Sequence, residues 1–332
     1  MNKLSLNGHD SLVKHVDTNN ISIIIGRNAA IQNKNVNSNA IVIGHEAGQY
    51  STNINNNILI GYQSGFATFD ATNNVFIGPL SGHSNKGSDN IFIGSESGHD
   101  NKSGNTNIFI GSSSGYMNNE GSNNIFVGQH SGFHNTFGNN NVFMGTNSGE
   151  NNTSGNSNVF IGNKSGSMNF IGNSNVFLGH ESGYFNRTGN NNLFCGNACG
   201  KNNNNGSDNT FMGTESGRDN KLGNRNCMIG FQCGMRNTNG TDNIFMGNHA
   251  GQNNLHGNRN VCIGNECNLN SNNSSMNVFV GDKSGQNTYT GFYNLFLGAE
   301  SGFNNFASIN NVYLGYQSGY NETDKSAYHV IS

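Results

Sequence analysis

Three consecutive apolar residues, with Asn in front and Gly behind, recur along this chain at a fixed interval. Asn124-Ile125-Phe126-Val127-Gly128 is one instance, and Asn107-Ile108-Phe109-Ile110-Gly111 and Asn141-Val142-Phe143-Met144-Gly145 flank it at 17 residues on either side. Taking the glycine as position 0, the phrase occurs in 18 copies from Gly26 to Gly315, with one step of 18 at the start and one of 16 into Gly94. Positions −3, −2 and −1 are apolar with few exceptions, Thr210 being one, and −2 is most often Phe. Position −4 is Asn from Asn57 onward, +3 is Ser, Ala or Cys, and +4 is Gly in all but Ala30 and Asn268. Position +7 is usually Asn and +10 often Gly, as at Gly104, Gly121, Gly138 and Gly155.

A β-branched and aromatic triplet bounded by Asn and Gly predicts a short strand. No 3.6-residue period is present, and Gly every few residues opposes a helix. A 17-residue unit cannot bury its own apolar face, so the units must stack. The expected architecture is all-β: a parallel β-solenoid or β-roll of about 18 coils. Neighbouring coils would lie roughly 4.8 Å apart, giving a length of roughly 85 Å. Gly supplies positive φ at the corners, and Asn tolerates the left-handed region and can bond along a ladder. Residues 1–20 precede the repeat and are expected to form an N-terminal cap or attachment segment. The repeat domain spans 21–320, and 321–332 form a C-terminal tail.

In a strand, −3 and −1 face one way and −2 the other. Both faces of this strand are apolar. If Ile and Val fill the coil, a Phe ladder lies outside; if Phe fills it, two aliphatic ladders do. Either way an apolar stripe remains, larger than a monomer usually exposes. The expectation is therefore that the stripe is buried between chains.

Composition narrows the function classes. Only 11% of residues are charged and the net charge is −3, so there is no basic footprint for nucleic acid or an anionic membrane surface. No apolar run suits a secretory signal or a spanning helix, so no direct membrane insertion is expected. The six cysteines include Cys199, Cys233 and Cys267, all at +3 and two coils apart, beyond disulfide reach. Cys195, Cys227 and Cys262 replace strand residues. They read as unpaired thiols acting as small hydrophobes in a reducing compartment.

His83 and His99 share +5 in consecutive coils and are expected to stack, but two ligands make a weak metal site. Asp rows of the calcium-solenoid kind do not occur, and no metal or cofactor is expected. Glu96, Glu181, Glu215, Glu266 and Glu300 share +2 without forming a repeating pair, so no catalytic residue is assigned. The variable positions +1, +2, +5, +6 and +8 to +9 read as the solvent face. Aromatic residues there are the ligand-face candidates, since they could stack on sugar rings: Tyr62, His83, His99, Tyr116, Phe133, Tyr184, Phe303, Tyr316 and Tyr320.

The phrase Asn158-Val159-Phe160-Ile161-Gly162-Asn163-Lys164-Ser165-Gly166 resembles the head repeats of YadA-like trimeric autotransporter adhesins. Asn311-Val312-Tyr313-Leu314-Gly315-Tyr316-Gln317-Ser318-Gly319-Tyr320-Asn321 is similar to the Asn/Gly-rich repeats of tail-fibre-like proteins of phages and large viruses. The resemblance covers about residues 21–321. The adhesin repeat is shorter, and its central apolar residue is small where this chain has Phe. The resemblance implies a left-handed parallel β-roll, a homotrimer about a common axis, and a structural or adhesive fibre role on a virion or cell surface. It also implies that −3 and −1 face the roll interior and that the −2 ladder faces the trimer axis. The interface residues would then be Phe76, Phe92, Phe109, Phe126, Phe143, Phe160, Phe177, Phe194, Phe211, Phe245, Phe279, Phe296 and Tyr313. A host receptor or glycan is the expected partner. The alternatives are a glycan-cleaving tailspike-type enzyme and an ice-binding β-solenoid; the latter favours Thr ladders, and Thr is sparse and out of phase here.

Overall fold

The triplets do form strands. The structure is a computed structural model that describes residues 22–33, 39–322 and 330–331. The proposed N-terminal segment 1–20 and most of the proposed tail lie outside the described residues. The chain divides into two compact units, Met1–Lys164 and Ser165–Ser332. Unit 1 carries β1 (Ile23–Ile25) to β9 (Val159–Ile161), and unit 2 carries β10 (Val176–Leu178) to β18 (Val312–Leu314) and the two-residue β19 (Val330–Ile331). No helix is long and apolar enough to cross a membrane.

Within each unit every strand pairs in parallel with the next, like residue on like residue. Ile125, Phe126 and Val127 of β7 (Ile125–Val127) meet Val142, Phe143 and Met144 of β8 (Val142–Met144). Leu193, Phe194 and Cys195 of β11 (Leu193–Cys195) meet Thr210, Phe211 and Met212 of β12 (Thr210–Met212). The fold is thus an all-β parallel β-solenoid with one short strand per 17-residue coil.

The rest of each coil is held by backbone bonds to the neighbouring coils, such as Gly132 N–H to the Ser148 carbonyl at 3.0 Å and His134 N–H to the Glu150 carbonyl at 2.8 Å, and by buried side chains. Asn124 donates from Nδ2 to the Gly138 carbonyl at 2.8 Å, and its Oδ1 accepts the Asn141 backbone N–H at 2.9 Å. Asn135, at +7, donates to Asn118 Oδ1 at 2.7 Å and to the Gly138 carbonyl at 2.9 Å. Both Asn rows are buried. Backbone groups that neither strand nor turn pairs, such as the Gly138 carbonyl and the Asn141 N–H, are satisfied by the stacked carboxamides. Left-handed backbone falls at +4, on Gly132 (φ +59°), but also at +2 and −5 on non-glycine residues such as His130 and Asn123.

The centre of each strand points inward. β6 (Ile108–Ile110) and β7 (Ile125–Val127) have the −2 residue enclosed and the two flanks partly exposed, and the other strands of both units repeat this. Phe76, Phe92, Phe109, Phe126, Phe143 and Phe160 in unit 1, and Phe177, Phe194, Phe211, Phe245, Phe279, Phe296 and Tyr313 in unit 2, are fully buried within their own chain. The inward assignment of −3 and −1, and with it the placing of the Phe ladder on an oligomer axis, is therefore corrected.

The physical reason lies on the opposite wall, at +4. A Cβ on Gly132 would sit 2.4 Å from the Phe126 ring, so the missing side chain is the space that the ring occupies. Successive rings stack 4.8 Å apart at interplanar angles of about 5°. Burying each contributes roughly 2–3 kcal/mol. The two exceptions at +4 both fall where the centre is not aromatic, although Val42, Leu59 and Met228 keep Gly. Ala30 stands where the centre is Ile24, and Asn268 where it is Cys262.

Candidate functional site

With Phe inside, the aliphatic flanks are left outside. On unit 1, Ile77, Ile91, Ile110, Ile125, Met144 and Ile161 are each 36–41% exposed. Unit 2 presents Leu193, Met212, Ile244, Met246, Ile263, Leu297 and Leu314 in the same way. On each unit these residues form two rows on one flat sheet face, with few polar side chains between them. This stripe is the second branch of the alternative posed by the strand pattern.

The ligand-face candidates separate into stacked and unstacked rings. In unit 1, position +5 is a column in which Phe66 stacks on His83, His83 on His99, His99 on Tyr116 and Tyr116 on Phe133, with centroids 4.7–5.0 Å apart and planes within 12°. The expected His83–His99 stack is present. Its consequence is that the flat faces of the inner rings are covered by their neighbours, so only edges meet solvent. His83, His99 and Tyr116 therefore cannot lie flat on a sugar ring, and Phe133 keeps one face at most. Parallel imidazoles 4.7 Å apart also hold their outer nitrogens too far apart for a shared zinc at about 2.1 Å per bond.

His83 Nδ1 lies 3.1 Å from Ser84 Oγ, and His99 Nδ1 lies 2.9 Å from Asp100 Oδ1. Burial, reinforced by the neighbouring His99, pushes the His83 pKa below the usual histidine value. Burial, then Asp100 and Glu96, pushes the Tyr116 hydroxyl up.

Tyr62 stacks on His45 at 5.7 Å. Phe303 and Tyr320 stack at 4.8 Å. Tyr184 meets Phe185 edge-on at 4.5 Å, leaving the Phe185 ring without a stacked partner among the described residues. Tyr316 is 71% exposed.

The +2 carboxylates are bonded to donors from nearby coils. Glu96 accepts from Ser113 at 3.2 Å, Glu181 from Lys201 at 2.7 Å, Glu215 from Gln232 at 2.7 Å, Glu266 from Gln286 at 2.8 Å and Glu300 from Gln317 at 2.7 Å. Among the described residues, no group of three or more His, Cys, Asp or Glu side chains could hold a metal ion.

The cysteines at +3 do more than fill space. Ser131 Oγ donates to the Phe143 carbonyl at 3.0 Å, and Cys199 and Cys233 take the same place, their Sγ atoms 3.2 and 3.1 Å from the Phe211 and Phe245 carbonyls. Burial pushes both thiols well above the ordinary range, so they are held as S–H donors.

Sequence reasoning did not find a groove on unit 2 between rows +6 and +8. One segment, of about 230 Å³, is lined by Phe185, Arg187, Asn202, Asn204 and Lys221. A second of the same size lies on the same two rows beside Arg236, Asn253, Leu255, Asn270 and Tyr289. The shared phase of Arg187 and Lys221 at +8 was the available signal. The depth of the groove was not. No protein-family model matches this chain, and no curated protein matches it significantly.

Proposed function

We propose that this chain is a non-enzymatic structural segment of a surface fibre, with an adhesive role, that assembles with copies of itself, as a homotrimer, through the outward aliphatic face. The single observation that supports this reading is that face: two rows of half-exposed Ile, Val, Leu and Met on each unit, with Phe already enclosed. Burying the remaining surface of each such side chain is worth roughly 1 kcal/mol. Over the nine strands of unit 1, with two rows each, that amounts to on the order of 10 kcal/mol before the cost of association. The similarity to adhesin head repeats and to viral tail-fibre-like repeats supports the same reading and suggests a virion or cell-surface location, with a host receptor or glycan as the external partner.

The test is the mass of the native particle by light scattering or analytical ultracentrifugation, for the wild type and for Ile125→Lys. Three copies are expected for the wild type. Ile125→Lys, on the outward face, should keep its β-sheet circular dichroism and shift towards monomer. A wild-type particle that stays monomeric at high concentration overturns the assembly.

A further inference from the structure

We infer that the groove between rows +6 and +8 of unit 2 binds a linear anionic polysaccharide, a uronate- or sulfate-bearing glycan lying along the stacking direction. This rests on the adhesive reading above and gives it a ligand class and a place.

The cations carry the charge assignment. Arg187 and Lys221 occupy row +8 two coils apart, roughly 10 Å at the ~4.8 Å spacing of paired strands. Both are exposed, and neither has a carboxylate partner among the described residues. Asp219, at +6 in the coil of Lys221, is already engaged, accepting from Arg218 at 3.0 Å and from Asn202 at 2.7 Å. Two cations without a carboxylate partner therefore stand on one wall of a groove whose lining residues include no acid.

The rest of the lining favours a sugar. Asn202 and Asn204 offer carboxamides, and Asn204 Oδ1, in the floor, receives no donor from the chain. Phe185 is the one aromatic wall, and its ring is not stacked between neighbours as the +5 column of unit 1 is. A pyranose needs this combination: an apolar ring face on one side and paired amide donors and acceptors at its hydroxyl edges. The repeat supplies the register. A pyranose ring is about as long as one coil step, so a glycan charged on alternate rings would place its anions at the spacing of Arg187 and Lys221. The second segment, further along the same two rows, adds Arg236 and an amide chain. Arg236 donates to Asn253 at 3.4 Å, and Asn253, Asn270, Asn287 and Asn304 each donate to the next Asn at 2.8–3.2 Å. Single contacts on so open a groove are weak, and repetition makes them additive.

The experiment measures binding of the full chain to polygalacturonate, dextran sulfate, neutral dextran and polyglutamate at low ionic strength, by biolayer interferometry. Particle mass is measured on the same samples. Binding to the two anionic glycans and not to neutral dextran is expected. Arg187→Glu/Lys221→Glu should lower it at least tenfold, and Asn204→Ala about threefold. Lys86→Glu/Lys102→Glu makes the same change in charge on row +8 of unit 1 and should alter binding less than twofold. Equal loss in both double variants overturns the groove, because general charge would then explain it. Equal binding of polyglutamate overturns the sugar assignment in favour of an acidic polypeptide. Absence of binding by the wild type overturns the inference outright. Particle mass is read independently, so loss of glycan binding with an intact assembly sinks this inference alone, and a monomer that still binds glycan sinks only the assembly.

Discussion

The two units are built from the same coil, yet their interiors and surfaces differ. In unit 1 the central column runs as phenyl on phenyl from Phe76 to Phe160, the +3 wall is mostly Ser, and an aromatic column stands at +5. In unit 2 the central column is broken by Met228 and Cys262, all six cysteines lie there, and +5 carries Lys201 and Arg218. The difference shows which features the coil requires. Backbone register and the −4 Asn ladder are kept in both units, and the +7 row gives way to Ser51 and Thr68 in unit 1 and to Ser271 and Thr288 in unit 2. The central ring is replaceable: Val42, Leu59 and Met228 keep Gly on the opposite wall, and Ile24 and Cys262 face Ala30 and Asn268. At Met228 the wall is still Gly234, whose added Cβ would meet Met228 Sδ at 2.3 Å. At Cys262 the short thiol leaves a gap, and Asn268 enters it with both polar atoms of its carboxamide unpartnered. Phe279, beside the gap, lies 26° from the plane of Phe296, whereas the rings of unit 1 stay within 7° of one another.

The sharpest way to break this comparison is to remove a ring from the unbroken column. Phe126→Asp should cost more than ~4 kcal/mol, because it opens a cavity and leaves an unpaired charge in a dry interior. Phe126→Ala should cost about 3–5 kcal/mol. Cys262→Ala in unit 2 should cost less than about 1.5 kcal/mol, since it removes one sulfur and its weak S–H bond to the Cys267 carbonyl, 2.9 Å away. Urea unfolding of the three variants checks the order. Similar losses for Phe126→Ala and Cys262→Ala would show that the Phe column is not a packed core.

The next test couples the two walls. Cys262→Phe alone should destabilise unit 2 by about 1–3 kcal/mol, because the ring has to displace Asn268. Asn268→Gly alone should be neutral or stabilising: the residue has a φ of +49°, which glycine adopts freely, and a buried carboxamide without partners costs about 1–3 kcal/mol. Together the substitutions restore the pair found at Phe126 and Gly132, and the double variant should exceed the sum of the singles by about 1–3 kcal/mol. Strict additivity in a thermal-melt cycle would mean that centre and wall do not share space.

That coupling also bears on what could be read from the sequence. Period, phase, strand position and parallel stacking were legible, because 18 copies of the apolar triplet and its Gly hold register, all but the first two led by Asn. The direction of the strand was not taken from the residues. Both faces are apolar, so alternation is silent, and the family resemblance pointed the Phe column outward. The deciding signal was nevertheless in the chain. Gly at +4 gives way to Ala30 and Asn268 only where the centre is Ile24 or Cys262, and that covariation places −2 against +4 inside the coil. The stacking of His83 on His99 followed from phase alone. The groove beside Arg187 and Lys221 did not, because its depth depends on how far the corners at +6 and +8 stand from the buried +7 Asn row, which residue identities do not encode.

The smallest expected effect concerns the surface columns. His83 sits between Phe66 and His99, and burial with the neighbouring imidazole holds its folded pKa below the unfolded value near 6.5. Between the two values the unfolded chain binds more protons than the folded one, so stability rises with pH there. The neutral-ring contribution is fully present above about pH 6.5 and is lost as pH falls towards the folded value. At +5 unit 2 carries Lys201 and Arg218, and its stack there is the aromatic pair Phe303 and Tyr320, with no imidazole in it. Replacing His83 with Phe continues the column from Phe66 in kind and removes the titration. His83→Phe should leave the melting temperature at pH 8 within a few degrees of wild type and flatten its decline between pH 6.5 and 5. A Phe at the far end of the column offers the control: Phe133→Leu removes a ring without touching an imidazole and should leave the pH dependence as in wild type. If His83→Phe declines as steeply as wild type, the stacked imidazoles do not set the acid sensitivity of unit 1, and the columns of the two units differ in shape without differing in their response to protons.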